Sequence, residues 1–196
     1  SVVTFSRTPR LWIDGMSGAQ AGELVERVGN LTPEGGTNLE DALRLAYETA
    51  ARHYLANGAN RVVLLTDGAA NLGDVNPESL KQRVESNRKQ GIALDCFGIG
   101  WEGYNDDLLE VLSRNGDGRY GFVNTPEEAA TGFANQLAGA LQVYDTSGYG
   151  TDFRLPVGEN ISASAMFDYA GLFIMASSPA IRSSTYWKLR VWLPSP

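Results

Sequence analysis

The order of hydrophobic and polar positions predicts alternating strands and helices over most of the chain. Val2–Phe5 is a short apolar run of strand character, and Leu11–Ile13 is its expected hairpin partner across Pro9. Apolar residues at helical spacing predict one helix after Ser17 and a stronger one over Asn38–Asn57. The inward face of the stronger helix is expected to consist of Leu39, Ala42, Leu43, Ala46, Tyr47, Ala50 and Tyr54.

The central part of the chain repeats this alternation. Val62–Leu65 is apolar on both faces, which is typical of a parallel strand covered on both sides. Strands are predicted at Ile92–Ile99 and Arg119–Val123, and helices from Asn76 to the residue before Gly91, over Asn105–Arg114 and from Thr125 to Leu141. Strands separated by helices predict an α/β, doubly wound, mostly parallel sheet with helices on both faces. The opening hairpin adds one antiparallel edge strand.

Residues 144–196 follow a different pattern, rich in Ser, Tyr and Gly and poor in charge. We therefore divide the chain into a domain over residues 1–143 and a C-terminal tail of uncertain structure. Leu172–Ser178 has the composition of a buried strand, and Tyr186–Leu193 that of an edge strand. A separate β appendage and a tail altered by truncation or a shifted reading frame remain open alternatives.

Composition excludes several classes of function. The formal net charge of −7 argues against nucleic acid as a partner, because that needs clustered Lys and Arg. No stretch approaches the ~20 apolar residues of a membrane span. The lone cysteine, Cys96, lies in an apolar strand and is expected to be a buried small hydrophobe. No phosphate-binding loop, dinucleotide fingerprint or nucleophile elbow occurs, so we expect no enzyme and assign no catalytic residue.

Two features fall where such folds bind ligands, at the carboxyl ends of strands. The apolar strand delivers Asp67 to its end, followed by Gly68, and Gly35-Gly36-Thr37 opens the long helix. Each has an ordinary alternative. Asp-Gly is a common turn dipeptide. Thr37 and Glu40 match a capping box, in which the hydroxyl only satisfies helix N–H groups.

Together these features resemble the von Willebrand factor type A family, as do the run Asn60–Gly68 and the Gly98-Ile99-Gly100 turn. The likeness extends over most of residues 2–143 and is strongest to bacterial members associated with the cell envelope. It implies a metal-ion-dependent adhesion site holding Mg²⁺ (or Mn²⁺). Thr37 would bind the ion through its hydroxyl and Asp67 through a water or directly. An acidic side chain of a protein partner would fill the last position, at the cell envelope or outside the cell.

The sequence departs from the family in one respect. The first loop of the site, Asp-x-Ser-x-Ser, occurs nowhere in it, and the chain is expected to begin at the family's second strand. The central position of the sheet must then be filled by a strand exchanged between copies, or by the C-terminal tail. Leu172–Ser178 would place Ser177 and Ser178 near the site. Because two ligands hold a divalent ion poorly, a metal-independent scaffold or interaction domain is the alternative function.

Overall fold

A computed structural model describes residues 1–17, 20–32, 34–56, 58–67, 71–100, 106–125, 128 and 172–179. The strands are β1 (Val2–Thr4), β2 (Arg10–Ile13), β3 (Gly58–Thr66), β4 (Ile92–Ile99), β5 (Tyr120–Val123) and β6 (Leu172–Pro179). The helices are α1 (Ala21–Val28), α2 (Leu39–Arg52), α3 (Pro77–Lys89) and α4 (Asp106–Asn115). None of the helices in the described ranges is long and apolar enough to cross a membrane.

The strands form one sheet in the order β2-β1-β6-β3-β4-β5. β3 pairs in parallel with β4, and β4 with β5, while β2 runs antiparallel to β1 at the edge. β6 is antiparallel to both β1 and β3, so β1 points the same way as β3. The predicted doubly wound, mostly parallel sheet with an antiparallel edge strand is thus confirmed.

Apolar side chains cover both faces of this sheet. On the first face, Val62 and Leu64 of β3 join a cluster built with α2, α3 and α4. On the second face, Val63 and Leu65 join Phe97 and neighbouring residues, against which Leu24 of α1 packs. Alternate residues of one strand therefore serve two cores, which explains the unbroken apolar run. The predicted helices on both faces are confirmed.

The central position, between β1 and β3, is filled by β6 of the same chain. Strand exchange between copies is therefore not needed to complete the sheet. Its direction corrects one expectation, however. Ser177 and Ser178 pair with Asn60 and Ala59, at the amino end of β3, and Leu172 pairs with Leu65 near its carboxyl end. The serines lie at the edge of the sheet remote from Asp67, because β6 runs opposite to its neighbours.

The long helix ends earlier than predicted, at Arg52 rather than near Asn57. The buried Asn60 side chain explains this, since its Oδ1 accepts the Leu55 N–H at 2.9 Å and its Nδ2 donates to the Leu55 carbonyl at 2.9 Å. These bonds fix a turn into β3 in place of another helical turn. Tyr54 consequently lies outside the helix and is 43% exposed, so its predicted place on the inward face is wrong.

Two smaller predictions are resolved as well. Cys96 is fully buried, and burial raises the pKa of its thiol well above the ordinary value, as expected for an inert core cysteine. At the predicted capping box, Thr125 Oγ1 accepts the Glu128 N–H at 3.2 Å. Glu128 in turn accepts the N–H of Asn124. The rest of that helix and the Tyr186–Leu193 strand lie outside the described residues.

Candidate cation-binding site

Thr37 lies two residues before the start of α2, at the carboxyl edge of the sheet. It is buried, with 5% of its surface exposed. The following residue, Asn38, donates its backbone N–H to the carbonyl of Ser6, just beyond β1, at 2.8 Å. The loop that carries Thr37 is therefore attached to the end of a strand, where the rule for doubly wound folds places ligands.

Asn38, and not Thr37, caps α2. Its Oδ1 accepts the Asp41 N–H at 3.2 Å, and its Nδ2 donates to Asp41 Oδ2 at 2.9 Å. The alternative of a capping box between Thr37 and Glu40 is therefore wrong, because Asn38 and Asp41 form the cap one residue later. Within the described part of the chain, the Thr37 hydroxyl forms no hydrogen bond to the helix N–H groups.

The glycine before Thr37 is required by its surroundings. Gly36 has φ +94°, in the left-handed region that favours glycine. A Cβ there would lie 2.7 Å from Arg7 Cγ and 2.8 Å from Leu72 Cδ1. Gly36 thus allows the Thr37 loop to lie directly against two neighbouring loops.

Asp67 follows the last residue of β3 and is half-buried. Burial raises the pKa of its carboxyl above the ordinary value, and a hydrogen bond within its own residue offsets part of that effect. No Lys, Arg or His among the described residues forms an ion pair with it. A desolvated carboxylate without a counter-charge gains from a cation placed beside it.

Other acidic side chains at this edge already have partners. Glu34 is paired with Arg10 at 3.2 Å and also accepts the Ser6 hydroxyl at 2.8 Å. Glu40 is paired with Arg83 at 3.3 Å. These ion pairs neutralise Glu34 and Glu40. Asp67, by contrast, forms no ion pair with an arginine of the described residues.

Asp74 is occupied in a different way. Its carboxylate accepts the backbone N–H of Asn76 at 2.9 Å, and this bond holds the pKa of Asp74 below its ordinary value. Its own N–H donates to Glu40 Oε2 at 2.7 Å. Asp74 therefore orders the entry into α3.

Thr37 and Asp67 fit the ligand chemistry of a small hard cation, which prefers oxygen donors and keeps several waters. In the described ranges, no three His, Cys, Asp or Glu side chains converge as a metal cluster. A cation held by Thr37 and Asp67 would therefore need further oxygen ligands, such as water or a partner's carboxylate. The central strand brings Leu172, and not the serines, to the level of Thr4 and Leu65.

The fold and this polar edge define a Rossmann-like, doubly wound α/β domain. The family model of the von Willebrand factor type A domain matches residues 1–136, and the chain belongs to that family. Domains of this family are generally protein-interaction modules, typically metal-dependent, rather than enzymes.

Comparisons with individual proteins agree with this family assignment. The protein YfbK of Escherichia coli (strain K12) is 33% identical over 129 residues, 66% of this chain and 22% of YfbK. The chain therefore spans less than a quarter of that relative. A von Willebrand factor type A structure from Catenulispora acidiphila has a TM-score of 0.56 at 22% identity, covering 71% of this chain and 33% of that one.

A third similar protein has been solved with a metal. It is proximal thread matrix protein 1 from the mussel byssus, with a zinc-occupied MIDAS motif. Its TM-score is 0.58 at 18% identity, covering 72% of this chain and 36% of that chain. At 22% and 18% identity, the Catenulispora and mussel structures show only that the fold is shared.

The residues around Thr37 were not all found from the sequence. Asn71 and Ser6 each bond to the Thr37 loop, although no motif marked them. Asn38 was included in the motif that opens α2, but its role as the cap was not assigned. Asn71 and Ser6 lie in loops whose approach to Thr37 depends on the completed fold.

Proposed function

We propose that this chain is a divalent-cation-dependent protein-binding module in which Thr37 and Asp67 hold Mg²⁺ or Mn²⁺. The observation that carries the proposal is that two oxygen ligands lie at the same edge of the sheet. Thr37 is buried and does not cap α2, and the half-buried Asp67 has no ion-pair partner among the described residues. The bound ion would supply an electrophilic position for a carboxylate of the partner. The zinc-occupied motif of the mussel protein supports this choice of function.

The chain's own residues would supply orientation and charge. Thr37 contributes a neutral oxygen, and Asp67 contributes one negative charge from a half-buried position. A site with so little negative charge would leave the cation attractive to an acidic side chain. Binding of the partner would therefore be reversible and sensitive to chelators.

The first test is thermal unfolding of the chain with MgCl₂, with MnCl₂ and with EDTA. A ligand that binds only the folded state stabilises it by about 2.7 kcal/mol at 100 times its Kd. For a chain of this size, that raises the Tm by roughly 5–11 °C. The increment should be absent in Thr37→Val, which replaces the hydroxyl by a methyl group, and in Asp67→Asn. Thr37→Ser, which keeps the hydroxyl, should retain it.

Asn38→Ala provides a matched control beside Thr37. It removes the cap of α2 and should cost about 1 kcal/mol in every buffer. Its cation-dependent increment should equal that of the unaltered chain. If cation and EDTA give the same Tm for the unaltered chain, the proposed cation site is wrong.

A metal-independent interaction domain is the second candidate. It is favoured by the central strand, which places a leucine beside the site in register with Leu65. No Asp-x-Ser-x-Ser sequence occurs in the chain to add ligands. Under this alternative, partner binding would be unchanged by EDTA and by Asp67→Asn.

We also propose the domain division at residue 143 and a location at the bacterial cell envelope or outside the cell. The family match over residues 1–136 supports the first, although β6 adds a later strand to the same sheet. The bacterial relative YfbK supports a bacterial setting. Cell fractionation with an antibody against the chain tests the location.

A further inference from the structure

Thr37 is held on both sides of its backbone by one short segment after β3. Its N–H donates to Asn71 Oδ1 at 2.8 Å. Its carbonyl accepts the N–H groups of Asn71 at 3.1 Å and Leu72 at 3.2 Å. Both backbone polar groups of Thr37 are therefore satisfied by two consecutive residues of the loop that Asp67 begins.

We propose that Asn71 is a positioning residue of the cation site, which holds the Thr37 backbone and thereby directs its hydroxyl. This inference rests on the proposed function. The loop before Thr37 contains Gly35 and Gly36, and glycine restricts the backbone less than any other residue. A ligand residue must be kept within ~0.5 Å of its working position, so an external support is needed. The Asn71 side chain supplies it, with a single neutral acceptor.

The residues after Asn71 strengthen this attachment. Asn38 and Leu72 form a parallel bridge between the two loops. A Cβ on Gly73 would lie 2.5 Å from Asn38 Oδ1, so the chain passes close to the cap of α2. The Asp74 N–H then donates to Glu40 at 2.7 Å, in the first turn of that helix. Asn71, Leu72 and Asp74 thus each bond to a residue between Thr37 and Glu40, and Asn71 is the one nearest Asp67 in the chain.

The consequence is that Thr37 and Asp67 do not depend on α2 and β3 alone for their relative position. Asn71 and Leu72, four and five positions after Asp67, bind the Thr37 backbone and so link the two segments that carry the proposed ligands. Removing the Asn71 acceptor would release the Thr37 N–H while leaving both proposed ligands in the chain.

The experiment compares Asn71→Ala, Asn71→Asp and the control Asn76→Ala. Asn76 also accepts a backbone N–H, that of Glu78 at 2.9 Å, but at α3 and away from Thr37. Mn²⁺ affinity is measured by titration, and the Tm is measured in Mn²⁺ and in EDTA. Loss of a residue that orients a metal ligand lowers metal affinity about 10–100-fold, which is the result expected for Asn71→Ala.

Asn71→Asp should restore the affinity, because its carboxylate also accepts the Thr37 N–H and adds negative charge near the ion. Asn76→Ala should lower the Tm equally in both buffers and leave Mn²⁺ affinity unchanged. The positioning role is overturned if Asn71→Ala binds Mn²⁺ like the unaltered chain, or if Asn71→Asp is as weak as Asn71→Ala.

Amide hydrogen exchange of Thr37 separates this inference from the proposed function. Measured in EDTA, exchange should be faster in Asn71→Ala than in the unaltered chain or in Asn71→Asp. If the unaltered chain binds no Mn²⁺, the proposed function is wrong and the role of Asn71 towards a cation falls with it. Unchanged exchange in Asn71→Ala would instead overturn the support of Thr37 by Asn71, whatever the cation does.

Discussion

The Asp95 carboxylate in β4 offers a quantitative test of how the sheet is held together. Asp95 is buried, with 1% of its surface exposed. Arg61 of β3 donates to both of its oxygens, at 3.1 and 2.9 Å, and the Arg119 N–H donates to Oδ1 at 2.8 Å. The pair therefore joins two strands and the loop before β5.

Replacing Asp95 by Ala leaves the Arg61 guanidinium without its counter-charge and the Arg119 N–H without its acceptor. Removing one partner of a buried ion pair costs about 3–5 kcal/mol. The Arg61 side chain keeps 17% of its surface exposed, so water compensates part of the loss. We expect a decrease of about 3 kcal/mol in the free energy of unfolding, a large share of the ~5–15 kcal/mol typical of a domain.

The assay is urea unfolding of the unaltered chain, Asp95→Ala, Arg61→Ala and the double variant. The two single changes should not add, because either one abolishes the same interaction, and the coupling energy should be about 2 kcal/mol. The double variant should be no less stable than Asp95→Ala, since it no longer buries an unpaired charge. Single changes that each cost under about 1 kcal/mol, or that add fully, would refute the reasoning.

Two other predictions concern the packing of a loop and the response to acid. A Cβ on Gly118 would lie 1.9 Å from the Leu94 carbonyl oxygen, so Gly118→Ala should lower the free energy of unfolding by at least about 2 kcal/mol in urea. Gly22→Ala, which meets no atom within 4 Å, is the control and should be neutral or slightly stabilising. The hydrogen bond to His53 is the largest cause that holds the pKa of Asp14 below its ordinary value of 3.8. The stabilisation from this hydrogen bond is therefore present above pH 3.8 and lost as the pH falls through the lowered pKa of Asp14. The Tm difference between the unaltered chain and Asp14→Asn should accordingly shrink as the pH is lowered from about 5. A difference that grows on acidification would contradict this assignment.

Much of the fold was predictable because turn and cap residues in the sequence lie where the buried strands and helices begin and end. Ile92–Ile99 was predicted at its observed bounds, since Gly91 and Gly100, with φ +83° and +100°, interrupt the chain on either side. α3 begins after its Asn76 cap for the same kind of reason. The end of α2 was not predictable, because the side chain that replaces its last turn belongs to β3.

The direction of the central strand was also beyond the reach of the sequence. An apolar run such as Leu172–Ser178 has the same composition whichever way it runs in a sheet. Its direction depends on how the preceding chain enters the sheet, which periodicity does not record. The suggestion that Ser177 would lie near the site is therefore wrong. Of the open alternatives for the gap, the one in which this segment fills it agrees with the strand order.

For the candidate site, the sequence indicated two residues but not the contacts that support them. Thr37 and Asp67 were singled out because strand ends in doubly wound folds mark ligand positions and because their motifs together resemble the family's site; their role as metal ligands stays a prediction. The bond from Thr37 to Asn71 spans 34 positions in the chain, and Asn71 reads as an ordinary loop residue. Contacts of this kind are created by the completed fold and leave no local pattern.

The place of β6 also sets the order in which the molecule can be built. Leu65 pairs with Leu172, and the two residues are separated by roughly 100 positions in the chain, so the middle of the sheet forms through a contact of long sequence separation. At a synthesis rate of about 5–20 residues per second, β6 is made several seconds or more after the β1–β2 hairpin and β3, which it joins. Until then each has an unpaired edge, which is open to pairing with other chains. The sheet is thus completed from its centre last, and its assembly is slow and exposed to aggregation.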